Sequence, residues 1–211
     1  MSLTFYDFKH APSPRRIRIL LALKNINHKA IEVDMMKAEQ LTDAYKAINP
    51  ECTIPTLKLE DGTTFTNVAA MNAYLEATYP EPSLMGTTAL EKAEIAGWQS
   101  KIEQELGMAI PNALRNSNPA FKDRALPGPI NYPQIPELAE RGLTMLSNFM
   151  DKLDKHLDGR DYIAANQLSV ADIAAVSFID FTRVVGNKIT EKHPHLLKWR
   201  TRLKEIDAFT L

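Results

Sequence analysis

Apolar positions in the first eighty residues follow short strand-like and helix-like stretches in turn, and after that they recur only at helical spacing. Leu3 to Phe8 is rich in β-formers and runs into His10-Ala11-Pro12-Ser13-Pro14, whose prolines suit a loop and the first turn of a helix. Ile17, Leu20 and Leu21 continue that helix until Asn25 to Asn27, and Ala30 to Val33 reads as a second strand. Ala38 to Ile48 has the pattern of a helix that must stop before Asn49-Pro50, because a residue preceding proline is pushed out of the α region. Thr56 to Leu59 and Thr63 to Phe65 flank Asp61-Gly62, a pair that supplies the positive φ of a hairpin turn, and Val68 to Thr78 closes the unit as a helix. The order βαβ, α, ββα predicts a thioredoxin-like α/β domain over residues 1–80.

Tyr79-Pro80-Glu81-Pro82-Ser83 interrupts helical periodicity on both sides and reads as a linker, leaving an all-helical domain over residues 89–211. Its predicted helices are Leu90 to Leu114, interrupted or kinked at Pro111, then Glu137 to Leu157, Ser169 to Val185 and Pro194 to Ile206. The loop from Asn116 to Pro136 is long for a compact domain, which suits a lid or a binding element. Ser169 and Asp172 have capping-box spacing, with Leu168 and Ile173 placed as a hydrophobic staple, so Asp172 is assigned to folding and not to acid catalysis.

The net charge of −1 over 211 residues is spread along the chain with no dense basic run, which argues against nucleic acid as a partner and for small molecules. The single cysteine, Cys52, excludes an internal disulfide, a Cys-x-x-Cys redox pair and a multi-cysteine zinc site, and no metal is expected. A reducing compartment fits. Met1-Ser2-Leu3-Thr4-Phe5 lacks the features of a signal peptide, and the longest apolar run, Ile19 to Leu23, is too short to span a bilayer, so the expectation is a cytoplasmic protein away from membranes.

Several segments in order resemble the cytosolic glutathione transferases: Pro12-Ser13-Pro14-Arg15-Arg16-Ile17-Arg18, Asn49-Pro50 before Thr53-Ile54-Pro55-Thr56-Leu57, Tyr74-Leu75-Glu76, and Ser169-Val170-Ala171-Asp172-Ile173. Arg115-Asn116-Ser117-Asn118-Pro119-Ala120-Phe121 and Arg124-Ala125-Leu126-Pro127-Gly128 are similar to stretches of a bacterial branch of the serine or cysteine type. The resemblance implies that Ile54-Pro55 is a cis bond whose preceding backbone pairs with the cysteinyl part of glutathione, the co-substrate. It further implies a homodimer and a detoxifying enzyme, in which the glutathione thiolate attacks an apolar electrophile or undergoes a related thiol exchange. Met108, Asn112 and Arg115 are the residues placed to line the second substrate's pocket.

The chain departs from that family in two places. The pair that holds the γ-glutamyl carboxylate, usually Glu-Ser or Gln-Ser, falls here on Asn67-Val68; Asn67 keeps hydrogen-bonding groups, and Val68 offers only its backbone N–H at a helix start. Asn67 also suits a helix N-cap, and the two roles are compatible. The usual thiol-activating hydroxyl falls on Ala11, which cannot donate, so Ser13 is the nearest replacement, with His10 beside it; the simpler reading of Ser13 is a helix N-cap before Pro14. Tyr6 reads as core, Arg18 as structural and Cys52 as buried. These losses leave a non-catalytic binding or adaptor protein of the same fold as the alternative function.

Overall fold

The computed structural model describes residues 2–211. Strand β1 (Thr4–Asp7), helix α1 (Pro12–Leu23) and strand β2 (Lys29–Glu32) form a βαβ unit with the strands parallel. Strand β3 (Thr56–Lys58) pairs antiparallel with β1, and β4 (Thr64–Phe65) antiparallel with β3, giving the sheet order β2-β1-β3-β4. The β3–β4 turn takes the form its residues predict: Gly62 adopts φ +92 and the Asp61 carboxylate accepts the Thr63 N–H at 2.8 Å. Helix α3 (Val68–Thr78) completes the thioredoxin-like unit.

The single helix expected over Ala38 to Ile48 does not form. Asp34 accepts the N–H groups of Met36 and Lys37 in a short 3-10 turn, which Ala38 closes at φ +56, and Thr42 caps a new four-residue helix, α2 (Asp43–Lys46). Side chains that bond their own backbone compete with helix continuation, and here they win twice within ten residues.

The second domain is all-helical, as expected: α4 (Ala89–Lys101), α5 (Ala109–Ser117), α6 (Pro136–His156), α7 (Val170–Phe181) and α8 (Pro194–Lys204). The break predicted at Pro111 lies upstream instead, in a π-helical segment at Ile102–Gly107 that separates α4 from α5. Pro111 itself sits in the first turn of α5, just after that segment. Gly142 lets α6 approach α5 closely; a Cβ there would lie 2.7 Å from the Ala109 carbonyl oxygen.

One hydrophobic core runs through both domains, from Ile17 and Leu20 of α1 to Val176 of α7 and Trp199 of α8. The linker is docked against it. Lys24, its side chain fully buried, donates to the carbonyls of Tyr79 and Pro82 at 2.7 and 2.8 Å and pairs with Glu76, while the other Glu76 oxygen accepts Leu84 and Met85 N–H.

Asp172 is completely buried. Its carboxylate accepts from Ser169 N–H (3.1 Å) and hydroxyl (3.0 Å), from Ile163 N–H (3.0 Å) and from Trp199 Nε1 (2.9 Å), tying the start of α7 to α8 and to the preceding loop. The reach-back bond expected of a capping box is present, but the carboxylate serves two further elements. Burial pushes its pKa up to about 6, against the pull of the four donors.

Asp172→Ala should therefore lower unfolding free energy by about 3–5 kcal/mol, more than a simple cap, because buried donors lose their acceptor. Urea denaturation measures this. Since the folded pKa lies above that of the unfolded chain, the native state binds the extra proton, and this residue's contribution to stability falls as pH rises from about 4 to 6. Asp172→Asn, which does not titrate, should lack that part of the wild-type pH dependence.

Candidate active site

Sheet register brings the candidate segments to one end of the fold. Tyr6 faces Thr56 and Leu57 faces Phe65, so continuing both ladders by the same step aligns Asp7, Pro55 and Asn67 in one row. Beyond that row lie the turn before α1, the Ile54-Pro55 turn and the start of α3.

Ile54-Pro55 is cis, and Pro55 is buried. The carbonyl of Thr53, just ahead of it, accepts from the Tyr45 hydroxyl (2.7 Å) and from Asn49 Nδ2 (2.8 Å). Burial raises the Tyr45 pKa, keeping its hydroxyl a donor. With the turn braced from behind, the N–H and C=O of half-buried Ile54 bond to no other described residue and are left free to pair with an extended ligand.

At the start of α3, Asn67 is the N-cap: its Oδ1 accepts the Ala70 N–H at 2.9 Å, leaving Nδ2 as a free donor. The cap role and the ligand role are thus divided between the two ends of one amide. Val68 places its side chain in the core at 6 % exposure, so only its backbone faces the helix end.

The turn before α1 differs from the sequence expectation. The N-cap is Ala11, with no side-chain cap, and Ser13 is the second residue of the helix, not its cap. Pro12 already has the fixed φ of a first helical residue, so the helix begins two positions before Pro14. The donors at this helix end are few: Ala11 N–H is taken by the Phe8 carbonyl at 3.0 Å, and Pro12 and Pro14 have none. Only Ser13, through its N–H and its hydroxyl, remains within the first turn.

The Ser13 hydroxyl accepts from Arg16 Nη2 at 3.3 Å, which leaves its own proton to donate elsewhere. Arg16 is buried between the Phe178 ring, 4.7 Å from its guanidinium, and the Glu103 carboxylate, to which it donates. Burial lowers its pKa and Glu103 opposes that shift. The sequence marks this arginine only through its place in the helix and in the Pro12–Arg18 motif, and gives it no role.

His10 is exposed, its ring edge-on to Phe8 at 5.4 Å. It lies with Ala11 and Pro12 on the wall of a cleft of about 640 Å³, whose far side is built from the end of α7, from α8 and from the segment between them. Met108, Asn112 and Arg115 do not line that cleft. Arg115 instead donates to the carbonyls of Arg124, Ala125 and Leu126 and stacks on Phe121, holding the long loop together. That loop reaches the first domain at Gly128, which adopts φ +112 and would set a Cβ 3.6 Å from the Glu51 carbonyl, three residues before Ile54.

Tyr6 and Cys52 are buried, and Arg18 makes a two-bond ion pair with Asp7. No helix among the described residues is long and apolar enough to cross a membrane.

Comparison with known proteins agrees with this architecture. Residues 11–78 match the family model described as glutathione S-transferase, N-terminal domain, and residues 114–207 match the C-terminal domain model of the same family. Glutathione S-transferase 2 of Saccharomyces cerevisiae is 28% identical over 206 residues, spanning 96% of this chain and 86% of its own length. The crystal structure of Gtt2 from the same yeast superposes with a TM-score of 0.88 at 28% identity, covering 98% of each chain. A maleylacetoacetate isomerase of Pseudomonas aeruginosa is 31% identical over 97 residues, 45% of this chain and 46% of its own. Both domains in their order, and a likeness running nearly end to end, make this chain a member of the cytosolic glutathione transferase family.

Proposed function

We propose that the chain is a glutathione transferase in which Ser13, and not a residue at the Ala11 position, stabilises the thiolate. The observation that carries this reading is the pairing of an unbonded Ile54 backbone with a helix end whose only free donors belong to Ser13. The cysteinyl backbone of glutathione would pair with Ile54, and the γ-glutamyl carboxylate would take Asn67 Nδ2 and the Val68 N–H. The sulfur would then lie at the start of α1, with His10 on the rim.

A free thiol ionises near pH ~8.5, so a neutral-pH nucleophile needs donors and positive potential. Ser13 O–H and N–H supply the donors, and the buried Arg16 guanidinium behind the hydroxyl adds potential to that of the helix dipole. In the reaction the thiol proton leaves to water and the sulfur lone pair forms a C–S bond at the electrophilic carbon. Either the leaving group departs with its electron pair, or the electrons of a double bond move onto the acceptor, which is then protonated.

The adaptor alternative draws on the alanine at the N-cap of α1. It predicts glutathione bound without a depressed thiol pKa.

Ser13→Ala should raise the pKa of bound glutathione by about one unit and lower kcat/KM by about tenfold near pH 6.5, with the deficit closing at higher pH. Ultraviolet titration of the bound thiolate reads the first effect directly. An unchanged titration would remove Ser13 from the chemistry, and an ordinary thiol pKa in the wild-type complex would favour the adaptor.

The division of labour in Asn67 gives a second test. Asn67→Asp keeps the cap but replaces the free donor with negative charge, so glutathione affinity should fall by about tenfold or more while stability is held. Asn67→Ala should lose both affinity and about 1 kcal/mol of stability. Equal affinity in all three proteins, measured by calorimetry, would place the γ-glutamyl group elsewhere.

A further inference from the structure

The cleft that opens beside Ala11 and Pro12 has walls of one predominant charge. Arg15 and Arg200 both pair with the single carboxylate of Asp180, at 2.6 Å for Arg15 and 2.7 Å for each of two Arg200 bonds. Arg15 directs its other donors to the main-chain oxygens of Phe209 and Leu211, and Arg18 is held by Asp7. Lys9, Arg183, Lys188 and Lys204 complete the lining cations and have no ion-pair partner among the described residues. Asp180 is the only acidic side chain on the wall.

Two donors in the same wall are also unused. Arg200 Nη1 is buried without a hydrogen-bond partner, and so is the hydroxyl of Ser177, a residue only 1 % exposed. Buried donors in native proteins are paired as a rule, and an N–H and an O–H are both groups that a carboxylate oxygen can accept from. Low-dielectric walls lined by one sign of charge concentrate the field on whatever enters.

We infer that the electrophile admitted to this cleft carries a carboxylate, which the Arg200–Ser177 wall and the free lysines draw in and hold while the carbon under attack faces the start of α1. The inference rests on the transferase reading for the attack, but the charge selection stands on the cleft alone. It narrows the second substrate from any apolar electrophile to an aromatic or unsaturated organic acid. An apolar body would still contact Ile179, Phe181 and Ile189, which line the same space.

The test compares an acid with its neutral isostere. Titration calorimetry of the full chain in the presence of S-methylglutathione, which has no free thiol, would measure binding of 3,5-dinitrobenzoate and 3,5-dinitrobenzamide. The acid should bind about tenfold tighter at low salt, and its advantage should shrink severalfold at about 0.5 M salt, where exposed charges are screened. The double variant Lys188→Gln/Lys204→Gln removes two exposed, unpaired charges and should bring the two affinities to within about threefold of each other. In parallel, turnover of the 4-chloro derivatives with glutathione reports the chemistry: the sulfur forms a bond to the ring carbon, chloride leaves with its electron pair and the thiol proton passes to water.

An acid bound no tighter than the amide overturns the inference, as does a preference that the double variant leaves intact. If the acid is preferred in binding but neither derivative is turned over, the anion-selective cleft stands and the transferase reading falls.

Discussion

A carboxylate sealed from water, that of Asp172, determines where much of the second domain sits. It is the common acceptor for the start of α7, the loop at Ile163 and the indole of Trp199 on α8. Helix α7 in turn packs along α1, and the two share one core. The position of α1, and with it the helix end where the thiol would ionise, is therefore tied to a hydrogen-bonded cluster in the other domain. Asp172, which bonds to no residue of the candidate site, is in this way part of what holds α1 in place.

The start of α1 achieves its polarity with unusual economy. Two prolines and one internally bonded N–H remove most of the donors that a helix end normally offers, and concentrate the remainder in Ser13. Behind that residue stands Arg16, which is itself held by Glu103 and Phe178 of the helical domain. The interdomain contact and the electrostatics of the site are thus one arrangement.

The two domains meet the site from different sides. The loop braced by Arg115 rests on the turn that precedes Ile54, while the end of α7 and α8 face Ala11 across the charged cleft. In the transferase reading proposed above, the first domain would meet a short peptide-like thiol through the unbonded backbone at Ile54, and the second would meet the other substrate through the charged side chains of the cleft.

The sequence by itself determined the element order, the hairpin at Asp61-Gly62, the cap at Asn67 and the reach-back bond of Asp172, because each depends on residues within a few positions of one another. It also carried the family, through motifs whose order survives wide divergence. Local signals failed where two of them competed: Asp34 and Thr42 broke the helix expected over Ala38 to Ile48, and the π segment took the break expected at Pro111. Pro12 and Pro14 both suit a first helical turn, so a cap at Ser13 sets the start of α1 two residues later than the structure does. Tertiary structure alone brought Glu103 to Arg16, gave Asp172 its two more distant donors and gathered cations from α1, from α8 and from the segment between α7 and α8 into one cleft. Those contacts join residues up to nearly two hundred positions apart, and their strength depends on burial, which no local pattern encodes.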